Sequence, residues 1–291
     1  MSYRGRFAPS PTGPLHFGSL VAALGSWARA RAQNGVWLIR MEDLDPPREV
    51  PGAATDILAT LAAFGMESDE PVLYQSTREV AYAEAFANLQ RDGHVFPCWC
   101  SRSDLEAQHG LHRGTCIASP DFARAPTWRL RVPDSTVEFD DLACGWQAQN
   151  LRDAAGDFVI RRVEGWYAYQ LAVVVDDAHQ GITEIVRGAD LLDSTPRQIH
   201  LQCLLDLPTP AYVHLPLVLD TEGRKLSKQD RARPVDRDDP VPTLRTALAF
   251  LGMNARGVAA NVDALLRATA CQFEPANLPG NAPPVAELGT Q

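Results

Sequence analysis

The sequence predicts an α/β fold, a parallel sheet flanked by helices and interrupted by a smaller inserted segment. Over residues 1–95, short apolar runs of strand length alternate with stretches whose apolar residues return every three or four positions. That alternation is the signature of βα units, which assemble into a parallel sheet. Around residue 95 the texture changes to short strands, turns and clustered cysteines, and beyond residue 164 the βα texture returns. A chain of 291 residues with 45% hydrophobic side chains is long enough to bury such a core.

In chain order, Arg6 to Ala8 end a first strand, and the stretch PSPTGPLHFGS (9–19) forms an extended turn held by its prolines. Ser19 is placed to cap the helix that follows, in which Leu20, Val21, Leu24, Trp27, Ala28 and Arg31 recur at helical spacing. Residues 36–41 read as a buried strand, and 56–64 and 81–89 as helices. A short strand is expected at 127–132, further α/β elements at 167–177 and 182–186, and a strand-like segment at 215–219. A loop carrying KLSKQ (225–229), a Pro- and Asp-rich linker (233–242) and a helix at 243–251 complete the pattern. The expected division is a catalytic domain split between 1–95 and 165–213, an inserted domain at 96–164, a C-terminal region at 214–272 and a loosely packed Pro-rich tail at 273–291.

Composition narrows the function classes. The longest purely apolar run is only a few residues, and residues 1–7 lack the apolar core of a secretory signal, so no membrane segment is expected. Six unevenly spaced cysteines suit a reducing cytoplasm better than a disulfide scaffold. A net charge of −9 argues against bulk electrostatic coating of nucleic acid but leaves room for a local basic groove. Nothing in the pattern demands a dimer, and a monomer is expected.

Two stretches carry the chemistry. In the first turn, Gly13 and Gly18 remove side chains where a ligand can approach the backbone, and the following helix N-terminus favours phosphate. The plain alternative is a strand-to-helix connection in which His16 is satisfied by a neighbour. In the second, Lys225 and Lys228 flank Ser227 on a loop, a compact source of positive charge for a triphosphate; the plain alternative is a solvated lysine pair.

Together, PSPTGPLHFGS and KLSKQ resemble the two signature motifs of class I aminoacyl-tRNA synthetases. The segments IRMEDLDPPR (39–48), YQLAVVVDD (169–177), EIVRGADLLDSTPRQI (184–199) and HLPLVLDTEGRKLSKQ (214–229) resemble the glutamyl branch. The resemblance implies a Rossmann-type catalytic domain with a small zinc-containing insertion and a short, mainly helical C-terminal portion. Phe17 and Ser19 depart from the first motif, which often has Ile and His there, and Ala189 stands where full-length glutamyl enzymes commonly carry Glu. Only 62 residues follow Gln229, with six Arg against seven acidic residues from 230 to 291, which leaves no room for an anticodon-binding domain. A short glutamyl-like chain of this kind resembles the glutamyl-queuosine tRNA(Asp) synthetases. That family attaches glutamate to the queuosine base in the anticodon loop of tRNA(Asp), so L-glutamate, ATP with Mg²⁺ and queuosine-containing tRNA(Asp) are the implied partners.

The resemblance also implies site residues. Arg6 and Arg187 are candidates for the carboxylates of glutamate, Glu42 for its ammonium and Tyr169 for a hydroxyl donor, with Phe7, Ala8, Pro9 and Ser10 following Arg6 into the same site. Arg6 and Glu42 could equally form one structural ion pair, and Asp43, Asp45 and Arg48 read as turn and ion-pair residues. His16, Gly18, Ser19, Lys225, Ser227 and Lys228 are the candidates for ATP binding and catalysis. In the insertion, Cys98, Cys100 and Cys116 supply three thiolates, and a tetrahedral zinc needs a fourth donor. His112 is the choice and His109 the competitor, against the alternative of plain reduced cysteines. In the family the fourth position resembles a Tyr, so His112 would be a departure, and the implied role of the zinc is structural. A truncated glutamyl-tRNA synthetase charging the tRNA 3′ end, an inactive tRNA-binding paralogue, and a small-molecule nucleotidyltransferase are the competing readings.

Overall fold

The computed structural model describes residues 2–219 and 234–280. It opens with β1 (Arg4–Phe7), α1 (Phe17–Ala32), β2 (Val36–Met41), α2 (Ala53–Ala63) and β3 (Leu73–Tyr74), two consecutive βαβ crossovers in which β1, β2 and β3 pair in parallel. All of β2 except its first residue is buried, as expected of a strand covered on both faces. Helix α1 buries Leu20, Val21, Leu24 and Ala28 against the sheet and carries Arg29 and Arg31 in its last turn, where the helix dipole favours cations. Both arginines are fixed by carboxylates, Arg29 on Glu184 (2.8 Å) and Arg31 on Asp69 (2.7 Å).

After α3 (Glu79–Arg91) the chain enters the inserted segment: β4 (Val95–Cys98), a one-turn α4 (Arg102–Leu105), β5 (Thr127–Leu130), β6 (Thr136–Asp141), β7 (Gly145–Asn150), a one-turn α5 (Leu151–Ala154) and β8 (Phe158–Arg161). This segment does not fold as one closed unit. β4, β5 and β8 form an antiparallel sheet, whereas β6 leaves it, forms a hairpin with β7 and pairs in parallel with a strand of the catalytic sheet. The α/β pattern then resumes with α6 (Tyr169–His179), β9 (Glu184–Gly188), α7 (Thr195–Leu204) and β10 (Ala211–Leu215), giving the sheet order β7-β6-β10-β9. The Thr183 N–H donates to the Arg4 carbonyl (2.9 Å), which sets the start of β9 against β1 and joins the two parallel blocks.

Helices α8 (Pro240–Phe250) and α9 (Val262–Gln272) pack on α1 and share its core through Leu244, Leu248, Phe250 and Leu265. The inserted sheet shares a second core with α3 and α6. Among the described residues no helix is long and apolar enough to cross a membrane.

Three sequence expectations are corrected. The residue that caps α1 is His16, not Ser19: its side chain accepts from the Ser19 N–H, and Ser19 lies inside the first turn. The last catalytic strand is 211–215 rather than 215–219, because Pro216 has no N–H to continue the ladder and the apolar run PLVL crosses the sheet end as a loop. Residues 273–280 are not loose, since Phe273 and Pro275 are buried and Leu278 packs on the main core.

Trp37 in β2 is fully buried, and its indole N–H donates to Ser26 Oγ (3.0 Å), whose hydroxyl donates in turn to the Ala23 carbonyl (2.9 Å). Ser26→Ala strands that indole N–H without a partner, and denaturant unfolding is expected to show a loss of about 1–3 kcal/mol. The Ser26→Ala/Trp37→Phe pair is expected to lose less than the sum of the single changes.

Candidate active site

β1 leads through its crossover to β2 and β3 on one side, while β9 leads to β10 on the other. The seam between β1 and β9 is therefore the switch point of the sheet, where an α/β fold opens a crevice beyond the strand C-termini. A cleft of about 530 Å³ lies there. Its wall receives Arg6, Phe7, Ala8, Pro9 and Ser10 from the end of β1 and Glu42 from the end of β2. Tyr169 from the start of α6, Arg187 from β9, and His16, Gly18 and Ser19 from the start of α1 line the same cleft. Every described residue named as a glutamate or ATP candidate thus faces one cavity, whereas Gly13, marked for close approach of a ligand, is not among its lining residues. Lys225, Ser227 and Lys228 lie outside the described residues.

Beneath the cleft is a buried ion network. Arg6 binds Asp177 through Nε (3.0 Å), and Arg40, fully buried in β2, binds the same carboxylate through Nη1 (2.6 Å) and reaches Glu42 through Nη2 (3.2 Å). The Arg6–Glu42 pair that the sequence allowed is not formed, because Asp177 on α6 takes Arg6 and Arg40 takes Glu42. Burial opposes ionisation of Asp177, yet the charges of Arg40 and Arg6 hold its carboxyl below the usual carboxylate range. Glu42 goes the other way. Burial pushes its pKa up, with Arg40 and Arg6 only partly offsetting the cost, so a cation entering the cleft would relieve an under-compensated carboxylate.

Arg187 is held differently. Its Nε donates to His214 Nε2 (3.1 Å), Nη1 to Gln198 Oε1 (2.8 Å), and Nη2 to Thr195 Oγ1 (2.7 Å) and the Leu191 carbonyl (3.3 Å). Among the described residues no carboxylate lies within ion-pairing distance of this buried cation. Burial, with Glu42 nearby, raises the pKa of Tyr169, so its phenol stays protonated as a donor.

In the turn between β1 and α1, Gly13 sits at φ +135°, a backbone shape that other residues rarely adopt. Gly18 is different: among the described residues a Cβ there would meet the His16 ring at 3.4 Å and Val218 at 3.7 Å, ordinary contacts. These neighbours leave room for a Cβ at 18, and Gly18 lines the cleft. Ser19 Oγ is 3.0 Å from His16 Nε2, so this hydroxyl and imidazole line the cleft as a pair. At the rim, Asp45 accepts from Arg48 (2.6 Å) and Arg162 (3.4 Å), and Asp43 caps Ser76, in line with the turn and ion-pair roles read from sequence.

In the insertion, the ligand atoms of Cys98, Cys100, His112 and Cys116 lie within 4.8 Å of one another. His109 is exposed and outside this cluster. His112 Nδ1 is 2.7 Å from Asp157 Oδ2, while its Nε2 is buried without a hydrogen-bond partner. Three sulfurs and an orphaned ring nitrogen, with a carboxylate behind the other nitrogen, are donors that could hold a four-coordinate metal ion such as zinc. Burial opposes thiolate formation at Cys100, but the N–H groups of Ala118 and Ile117 bring its pKa below the ordinary thiol value. Burial beside Cys98 and Cys100 pushes Cys116 up to about 12, a repulsion that a bound cation would remove.

Residues 2–265 match the family model described as "tRNA synthetases class I (E and Q), catalytic domain". A glutamyl-Q tRNA(Asp) synthetase of Burkholderia cenocepacia is 58% identical over 267 residues, 88% of this chain and 90% of that one. One from Xanthomonas campestris pv. campestris is 54% identical over 282 residues, 96% and 94% of the two chains. The chain belongs to the glutamyl-Q tRNA(Asp) synthetase family of class I synthetases. The class I fold is seen in a glutamate tRNA ligase from Elizabethkingia meningosepticum, solved in complex with its amino acid, at a TM-score of 0.83 and 23% identity over 99% of this chain and 68% of that one. Class I synthetases are ligases that use ATP with Mg²⁺, and this family member carries the corresponding catalytic body.

Several residues that build this synthetase's cleft were not singled out from sequence. Asp176 and Asp177 end the apolar run of YQLAVVVDD, and that position, two carboxylates on a buried helix, was itself the signal that buried cations must meet them. His214, Thr195 and Gln198 carried no such mark.

Asp177→Asn leaves two buried arginines short of a counter-charge. Denaturant unfolding at neutral pH is expected to show a loss of about 3–5 kcal/mol. Because the folded-state pKa of Asp177 lies below its unfolded value, its contribution is present above about pH 4 and fades as pH falls through the folded value; the variant's stability is expected to depend less steeply on pH in that acid range.

Proposed function

We propose that the protein activates glutamate with ATP and transfers the glutamyl group to the queuosine base in the anticodon loop of tRNA(Asp). The observation that carries this reading is the pairing on one cleft of an under-compensated carboxylate, Glu42, with an arginine that has no carboxylate partner among the described residues, Arg187. An amino acid with an ammonium and an extra carboxylate complements both. The names of the relatives at 53–58% identity supply the acceptor.

In this reading Glu42 takes the ammonium, and Arg187, with Arg6 held in place by Asp177, takes the carboxylates while Tyr169 donates from the side. Phe7, Ala8, Pro9 and Ser10 line the wall beside them. A glutamate α-carboxylate oxygen attacks the α-phosphorus of ATP, the bond to the bridging oxygen breaks, and pyrophosphate leaves. His16, Ser19 and the amides around Gly18 stabilise the charge developing on phosphate, and Lys225, Ser227 and Lys228 of the second motif add to it. Mg²⁺ supplies charge neutralisation on the triphosphate when bound. A hydroxyl of the queuosine cyclopentene-diol then attacks the mixed anhydride carbonyl, the carbon–phosphate oxygen bond breaks, AMP leaves and the hydroxyl proton passes to solvent. Rate enhancement here comes from positioning and electrostatics. Cys98, Cys100, His112 and Cys116 would hold a structural zinc with no open position for water.

Labelled glutamate and ATP, offered to tRNA with and without queuosine, are expected to put label in an anticodon-loop fragment only when queuosine is present. Label on the 3′-terminal nucleotide regardless of queuosine would instead mark a short glutamyl-tRNA synthetase.

Elemental analysis of the purified protein is expected to find about one zinc per chain, lost in Cys116→Ser. Asp157→Asn keeps all four ligands, yet chelator competition is expected to show zinc held roughly 10–100-fold more weakly.

A further inference from the structure

We propose that Asp141 and His214 are positioning residues for the amino-acid substrate, acting by fixing the orientation of Arg187. This rests on the reading of the cleft as a glutamate site and deepens it. The guanidinium Nε–H of Arg187 can only donate, so the ring nitrogen it meets at 3.1 Å, His214 Nε2, must be an acceptor. The imidazole is therefore neutral with its proton on Nδ1, and that proton is donated to Asp141 Oδ2 at 2.6 Å. Asp141 is immobilised in turn: its Oδ1 accepts from the N–H groups of Ala143 (3.0 Å), Cys144 (2.8 Å) and His214 (3.3 Å). The carboxylate is thus anchored by backbone, the tautomer by the carboxylate, and the arginine by the tautomer.

The three side chains of this relay are buried. Asp141, His214 and Arg187 are each at most 4% accessible, and the Tyr212 ring stacks on the imidazole. Among the described residues the charged groups near the imidazole are Asp141, Arg187 and Asp190, and burial with Arg187 outweighs the two carboxylates, so the pKa lies below the usual histidine value. The opposite tautomer would aim two N–H groups at each other and turn the guanidinium away. Asp141 ends β6, which comes from the inserted segment, so that segment reaches the amino-acid site through one carboxylate.

The test uses the full chain in glutamate-dependent ATP–pyrophosphate exchange with tRNA present, alongside thermal unfolding. Asp141→Asn, whose amide N–H can face Nδ1 and favour the wrong tautomer, is expected to raise the KM for glutamate on the order of tenfold or more, with the KM for ATP changed less than about threefold. His214→Leu is expected to do the same. His214→Gln, whose amide can accept from Arg187 and donate to Asp141, is expected to restore the glutamate KM to within about threefold of wild type. A purely structural role would lower the unfolding temperature and the active fraction without singling out glutamate, and an unmoved glutamate KM in folded Asp141→Asn or His214→Leu overturns the proposal. Should Asp141→Asn not fold, the comparison of His214→Leu with His214→Gln decides it alone. Wild-type protein with no glutamate-dependent exchange overturns the underlying reading of the cleft, and this inference with it.

Discussion

Arg6 and Arg40, on neighbouring parallel strands, are both buried against the one carboxylate of Asp177. A strand core is a costly place for two guanidinium groups; α6 delivers a charge between them, and Glu42 adds a second for Arg40. The adjacent Asp176 faces away and ties Gln75, Arg78 and Tyr82 to the same helix. Two consecutive aspartates therefore clamp the first half of the sheet to the second. Arg6 and Glu42 reach the cleft wall as the outer members of this network, so the charges offered to a ligand are fixed by charges beneath them.

The inserted segment is joined to the catalytic body at two levels. Its antiparallel sheet shares a core with α3 and α6, and its β6 strand becomes part of the catalytic sheet. At its far end, three thiols and an imidazole converge, and Asp157 orients that imidazole while also accepting the Val132 and Gly114 N–H groups. Asp157 beside His112 and Asp141 beside His214 show one device used twice. In each case a buried carboxylate decides which nitrogen of a histidine is left to act.

The fold was legible because parallel strands are buried on both faces and so read as short apolar runs. Residues 36–41 could be marked to the residue, and the helices at 53–63, 79–91 and 240–250 to within about three, whereas α7 and α9 were not marked. The reading failed where local composition and backbone chemistry disagree. PLVL is more apolar than AYVHL, yet proline ends the ladder, and the true strand carries a buried histidine in its middle. The cleft residues were legible through their motifs, but their partners were not. Arg6 and Glu42 could be read as one ion pair because both stand near strand ends, and the real partner of Arg6 lies 171 residues away. Spacing alone likewise could not choose between His109 and His112, whereas burial and Asp157 distinguish them at once.

The seam between β1 and β9 also has a meaning for how the chain assembles. The first crossovers, from β1 to β3, close through contacts near in sequence. The register of β9 against β1 needs residues about 180 positions apart, held by the Thr183–Arg4 bonds and by Asp177. The cleft is built on that long-range contact. Opening the seam alone would therefore dismantle the binding site while leaving the helices and strands on either side intact.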